Sequence, residues 1–245
     1  MLSNDVNSIE AEITGDAFMR NPALGNVNKE VLAPSLYGDK HRFIGFTTKT
    51  WRYGKDNKWN TTLATVYELA QGGRFSYTYS GDINGDGSGL NDLIYIPTQD
   101  ELNQMYFSGN ATEQQAQKDA FEHFINQDEY LSTHRGEYMQ RYAILSPWRS
   151  KIDLKLTQTY RIKGSYKVQF NLNVLNLGNL LNSDWGVVKL PTTKQPLGVD
   201  VSQDVDGDGN NDPVYSFDTN LRNTFYNDYS LRSRWQVQAG LRFIF

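Results

Sequence analysis

The sequence has no cysteine, which excludes disulfides and thiolate metal sites. It has three histidines, His41, His123 and His134, and they neither cluster nor fall at a zinc-ligand spacing. Neither sign of charge is in excess: the net charge is -4, so nothing points to a nucleic-acid partner. No apolar run approaches the roughly 20 residues that a membrane helix needs. Met1 is followed by LSNDVNSIEAE, which has neither the basic head nor the apolar core of a secretory signal. A membrane or secreted setting therefore requires that the chain be a piece of a longer protein.

Aromatics are abundant instead. Fifteen tyrosines, twelve phenylalanines and five tryptophans stand in a chain whose mean hydropathy is -0.61. Many aromatics on a polar average suit strands that are apolar on one face only. Residues 1–40 are turn-rich (NPALGN, LAPSLYGD) and read as a loop region. HRFIGFTTKTW (41–51) reads as a strand and RYGKDNK (52–58) as a short turn. A second strand, 59–80, alternates from Trp59 to Ala70, is interrupted by Gly72 and Gly73 as at a bulge, and resumes in FSYTY. In KIDLKLTQTY, Ile152, Leu154, Leu156 and Tyr160 share a face opposite Lys151, Asp153 and Lys155. A tight return at Lys163 and Gly164 leads to a strand with Val168, Phe170, Leu172 and Val174 on one side and Lys167 and Gln169 on the other. These strands span 149–162 and 165–177. The last, within 229–245, sets Trp235, Val237, Leu241, Phe243 and Phe245 against Arg234, Gln236, Gln238 and Arg242.

Loop lengths sort sharply: 52–58 and 163–164 are short, whereas 81–148 and 178–228 are long. The first long loop carries the one good helix candidate, 111–127, with Ala116, Ala120, Phe121 and Phe124 as its apolar stripe. The second shows short strand candidates at 185–190 and 213–217. A β-sandwich has no reason to sort its loops this way, whereas an outer-membrane barrel joins strands by short periplasmic turns and long external loops. The reading is all-β: an antiparallel transmembrane β-barrel segment over 41–245, with external inserts at 81–148 and 178–228. Parity puts Phe245 on the periplasmic side. Five strands cannot span a bilayer as an open sheet, so the wall requires further strands.

RFSYTYSGDINGDGSGLNDLIYIP (74–97), VLNLGNLLNSDWG (174–186) and the closing RWQVQAGLRFIF (234–245) together resemble the C-terminal barrel part of TonB-dependent outer-membrane receptors, in the Oar-like group of Bacteroidetes with a carboxypeptidase-regulatory-like domain. That resemblance implies a 22-stranded barrel in the Gram-negative outer membrane, plugged by an N-terminal domain. It implies energisation through the TonB system, import of a nutrient, and recognition of the final aromatic by the barrel-assembly machinery. The competing reading is a secreted, calcium-stabilised β-sheet module that binds glycans or mediates adhesion.

Two acidic loops are the candidate sites. Asp82, Asn84 and Asp86 occupy positions one, three and five of a loop with Gly87 at six, and Asp92 stands at eleven. Asp204, Asp206 and Asp208 repeat the spacing, with Gly209 at six and Asp212 at nine. Oxygens so spaced before a glycine turn can wrap a calcium ion, although neither loop ends in the bidentate glutamate of an EF-hand. The bland alternative is an Asx-turn loop held by its own backbone. Trp185, Tyr215, Phe217 and Tyr226 are the candidate substrate-contacting aromatics. No catalytic residues are assigned and the expectation is not an enzyme. Ser146, His134 and Asp128 lack a nucleophile-elbow context, and Glu122 and Glu129 read as solvated helix positions.

Overall fold

The computed structural model describes residues 2–3 and 19–245. Most of the LSNDVNSIEAE stretch lies outside the described residues. The chain divides into two compact units, one of residues 39–72, 147–190 and 227–245, the other of residues 1–38, 73–146 and 191–226.

The first unit is a 5-stranded antiparallel sheet: β1 (His41–Tyr53), β2 (Trp59–Gln71), β3 (Arg149–Lys163), β4 (Tyr166–Leu175) and β5 (Gln236–Ile244). Strand order follows chain order, as in an up-and-down meander. Its short turns join β1 to β2 and β3 to β4 at one end. Ile244 pairs with Lys167, so Phe245 finishes at that same end. The chain leaves the sheet between Gln71 and Arg149 and between Leu175 and Gln236 at the opposite end. Among the described residues, β1 and β5 each have one unpaired edge, so the sheet is not closed into a barrel.

Register lines up the two faces. Leu69 stands opposite Phe43, Leu63 opposite Leu156, Leu156 opposite Leu172, and Leu172 opposite Ala239. On the other face Lys155 stands opposite Asn173 and Asn173 opposite Gln238. On the polar face Lys151 lies 3.2 Å from Asp153 and Arg42 3.1 Å from Glu68, and Arg149 donates to both Asp39 oxygens at 3.0 Å. Ile44 and Phe46, on the edge strand, break the polarity of that face.

At the insert end of β4, Asn176 turns the chain in the left-handed conformation (φ 53°) into a short helix, Leu177–Leu181. Its buried amide donates to the Gly186 and Ser233 carbonyls at 3.0 and 2.9 Å, and its N–H donates to Asp153 at 2.8 Å. The VLNLGNLLNSDWG stretch is thus a hydrogen-bonded corner. Gly186 is required there, because a Cβ would sit 2.1 Å from Asn176 Oδ1.

The second unit has its own apolar core. Helices α1 (Gln99–Gln104), α2 (Ala111–Gln127) and α3 (Glu129–Thr133) accompany a 4-stranded sheet in the order Tyr79–Ser80, Leu197–Gln203, Asp212–Phe217, Tyr106–Phe107. The expected helix 111–127 is found at those bounds. Asn110 caps it by accepting from the Thr112 and Glu113 N–H groups at 3.0 and 3.1 Å, and Glu113 reaches back to the Asn110 N–H at 2.9 Å. Ala120, Phe121, Phe124 and Ile125 form its buried stripe; Ala116 is exposed.

Three boundaries differ from the sequence reading. First, β2 ends at Gln71 rather than continuing to residue 80. Gly72 passes so close to Asp39 that a Cβ would lie 2.9 Å from its Cα, and Gly73 takes φ +74°. The glycines end the strand rather than bulging it. Phe75, Tyr77 and Tyr79 are buried in the second unit's core at 3%, 0% and 2% exposure. Tyr77 and Tyr79 therefore belong to a protein core rather than to the end of a lipid-facing strand. Second, the insert of 81–148 begins at residue 73. Third, the described part of 1–40 is no separate loop region. Through residue 38 it belongs to the second unit, where Ala23 bridges Asp92.

Gly81 offers a test of this packing. It holds φ +137°, and a Cβ there would sit 2.1 Å from the Val199 carbonyl oxygen. Gly81→Ala is expected to cost about 1–3 kcal/mol, read as a lower urea midpoint at unchanged slope. An unchanged midpoint would refute the close approach.

Candidate functional site

Both acidic loops belong to the second unit and leave the same end of its 4-stranded sheet. Tyr79–Ser80 runs parallel to Leu197–Gln203, with Tyr79 opposite Leu197. The first loop follows the former strand, and the second forms the tip of the hairpin made by Leu197–Gln203 and Asp212–Phe217.

The loops share one hydrogen-bond plan. The position-one carboxylate accepts from the N–H groups of positions four and six: Asp82 from Gly85 and Gly87, both at 2.7 Å, and Asp204 from Gly207 at 2.7 Å and Gly209 at 3.0 Å. Those glycines have φ between +75° and +88°, which favours the residue without a Cβ. Position three accepts from position five, Asn84 from Asp86 at 2.8 Å and Asp206 from Asp208 at 3.1 Å. Position five accepts from position seven, Asp86 from Ser88 at 2.8 Å and Asp208 from Asn210 at 2.7 Å. Asp92 and Asp212 converge on one task, accepting the position-two N–H from Ile83 at 3.1 Å and from Val205 at 2.9 Å. Asx turns therefore organise both loops.

Their surroundings differ. Asp204, Asp206 and Asp208 are exposed, and one carboxylate oxygen of each lies within 4.8 Å of the others, close enough to share a metal ion. The Asn210 N–H holds Asp208 below the usual carboxylate range. In the first loop Asp92 is 3% exposed, and burial raises its pKa, with the charges of Asp86 and Asp82 adding to the rise. Asn91, unremarked in the sequence reading, is 1% exposed and donates to Asp86 at 2.9 Å.

The four candidate aromatics do not form one surface. Phe217 is buried, its ring centre 5.1 Å from that of Phe121 and 5.7 Å from that of Phe124. Tyr215 packs 6.1 Å from Tyr79 and 6.0 Å from Phe107. Both support the core, which corrects their assignment as loop aromatics reaching for substrate. Tyr226 is exposed in the second unit, and Trp185 is exposed in the first.

Ser146, His134 and Asp128 each have other work. Ser146 donates to the Gly73 carbonyl at 2.8 Å, His134 Nδ1 lies 2.9 Å from the Tyr130 carbonyl, and Asp128 caps α3. Glu122 pairs with Arg135 at 2.7 Å.

In the first unit the apolar face of the sheet is ordered along its length. Trp51, Tyr53, Trp59 and Tyr160 stand near the short turns, and the Trp59 and Tyr160 ring centres are 4.6 Å apart. Phe43, Trp148 and Tyr67 stand near the other end, with Trp148 stacked 6.0 Å from His41 and 6.5 Å from Phe43. Between the rows lie Leu63, Leu154, Leu156, Leu172, Ala239 and Leu241. Polar groups in this middle band are paired: Thr47 with Thr65, and Thr61 with Gln158, each at 2.6 Å. Lys49 lies on this face two positions from Trp51, and Lys163 stands opposite Tyr166 beside the tight turn. No helix among the described residues is long and apolar enough to cross a membrane. Comparison with protein-family models, with curated proteins and with solved structures gave no match.

Proposed function

We propose that the 5-stranded sheet is part of the wall of an outer-membrane β-barrel, and that the chain serves a TonB-dependent receptor that imports a nutrient. The observation that carries this reading is the exposed apolar face bounded by two aromatic rows. Phe43 to Trp51, Trp59 to Tyr67 and Trp235 to Phe243 are each eight residues apart. At about 3.3 Å per residue that is about 26 Å along a strand, or about 20 Å along the normal at about 40° tilt. An apolar band about 25 Å tall between aromatic girdles is what a barrel presents to lipid. A sandwich would bury this face. Here Phe43, Phe170, Leu241 and Phe243 are 59%, 41%, 62% and 61% exposed.

Other features support the same reading. The paired threonines and Gln158 satisfy their polar groups without water. Lys49 can extend its stem toward the nearby rim. The unpaired edges of β1 and β5 take further strands of the wall, and its polar face of charged and amide side chains suits a hydrated lumen against a plug. The short turns then lie in the periplasm with Phe245, and the inserts lie outside. The three resembling motifs bring the TonB-dependent class to this architecture.

Fractionation of cells making the full-length protein tests the proposal. The protein is expected in the outer membrane, resistant to carbonate extraction and released by detergent. A soluble monomer in the medium would instead support the secreted adhesion or glycan-binding module.

A further inference from the structure

We propose that the first acidic loop is a calcium site closed by two groups outside its acidic spacing, the Asn91 side chain and the Gly25 carbonyl. This inference concerns the second unit alone and does not rest on the membrane reading. Four observations lead to it.

Asn91 is 1% exposed, and its Oδ1 has no hydrogen-bond partner among the described residues. A buried amide oxygen left unpaired is costly and asks for a partner. Its Nδ2 is 2.9 Å from Asp86 Oδ2, which fixes the amide head beside that carboxylate. Both side chains, with Asn84 and Gly25, line a cavity of about 530 Å³. Finally, Asn84 Nδ2 is surrounded by three oxygens: Gly25 O at 2.9 Å, Asp86 Oδ2 at 3.4 Å and Asp92 Oδ1. An amide nitrogen carries two hydrogens, so three acceptors exceed what it can serve.

The Asn84 nitrogen thus stands where three oxygens converge, and the Asn91 nitrogen lies against one of the same oxygens, Asp86 Oδ2; both are places that suit a positive charge. Rotating the Asn91 amide would set its Oδ1 against Asp86 Oδ2. That contact is repulsive between bare oxygens and favourable with a cation between them. The Asn84 amide makes the same exchange, giving up its bond from the Asp86 N–H so that Oδ1 takes the place of Nδ2 among those oxygens. The ligands are then Asp86, Asp92, Asn84 and Asn91 side-chain oxygens with the Gly25 carbonyl, all hard donors. Such a mixed, irregular set suits calcium, which accepts six to eight oxygens flexibly, better than magnesium, which demands a near-ideal octahedron. Asp82 is a positioning residue here, since its oxygens are held by the Gly85, Asp86 and Gly87 N–H groups. The ion would tie the segment around Gly25 to the loop, where Ala23 and Asp92 already bridge.

The test is calcium titration by calorimetry on the full-length protein in detergent, in an Asp204→Ala/Asp208→Ala background that silences the second loop. One calcium per chain is expected to bind at the first loop. Asn91→Ala should weaken it at least tenfold, whereas Asn91→Asp, which keeps an oxygen at that position, should retain it. Calcium should also protect the chain around Gly25 from protease, and Asn91→Ala should abolish that protection. The proposal is overturned if the background binds no calcium, if Asn91→Ala binds as tightly, or if Asn91→Asp keeps its circular dichroism yet loses binding. An equal response to magnesium overturns the choice of ion.

Discussion

Leu241→Arg is expected to destabilise the membrane-inserted protein by about 1–3 kcal/mol, whereas Gln238→Lys, three residues away on the same strand, should change stability little. The contrast follows from the alternation of β5. Leu241 pairs with Phe170 on the apolar face and is 62% exposed, between the aromatic rows that include Trp235 and Phe243. In a bilayer that position is inside the hydrocarbon, two residues from the Phe243 row, where a guanidinium is poorly hydrated. Gln238 pairs with Asn173 on the polar face, where a lysine keeps its hydration. Urea unfolding of the full-length protein from lipid vesicles measures both. Equal costs at the two positions would contradict the assignment of faces.

Asp128→Ala is expected to cost about 3–5 kcal/mol and to act on the second unit. Asp128 is 4% exposed and accepts four hydrogen bonds: from the Tyr77 hydroxyl at 3.1 Å, the Thr224 hydroxyl at 2.6 Å, and the N–H groups of Tyr130 and Leu131 at 2.9 and 3.0 Å. Its removal leaves two buried hydroxyls without their acceptor, at about 1–3 kcal/mol each, and takes away a helix cap worth about 1 kcal/mol. Asp128→Asn keeps an acceptor for the cap and should cost less than half as much. Burial, and then the charge of Asp128, raise the Tyr77 pKa above its ordinary value. The raised pKa means that this stability is fully present below the ordinary tyrosine range and is lost as pH climbs through the folded value. Urea midpoints followed by near-ultraviolet circular dichroism report these differences. A cost for Asp128→Ala of less than about 1 kcal/mol would show that the network carries no weight.

The sheet was legible because β3, β4 and β5 alternate without interruption, and because the turn at Gly164 is too tight to read otherwise. Helix α2 was legible from its spacing of Ala120, Phe121 and Phe124. The errors have a common physical cause. Alternation reports that one side of a strand is apolar but not what covers it. Phe75, Tyr77 and Tyr79 alternate as Trp59 to Leu69 do, yet they enter a protein core. Phe217 was misplaced for the same reason. Two adjacent glycines fit a bulge and a strand end equally well, and only the close approach of Gly72 to Asp39 decides between them. The acidic loops were found by their spacing, but Asn91 was not, because a buried amide in a loop leaves no periodic signal. The common duty of Asp92 and Asp212 was also hidden, since they stand at different positions along their loops.

The most direct test of the wall assignment is the environment of each face in the assembled protein. Nitroxide labels at Leu241 and Phe170 on one face, and at Gln238 and Asn173 on the other, would be read in lipid vesicles by relaxation with oxygen, which concentrates in hydrocarbon, and with a water-soluble nickel complex. The account predicts that labels at Leu241 and Phe170 respond to oxygen and are shielded from nickel, while those at Gln238 and Asn173 respond to nickel. Labels at Leu241 and Phe170 that meet nickel as readily as those on the polar face would contradict it.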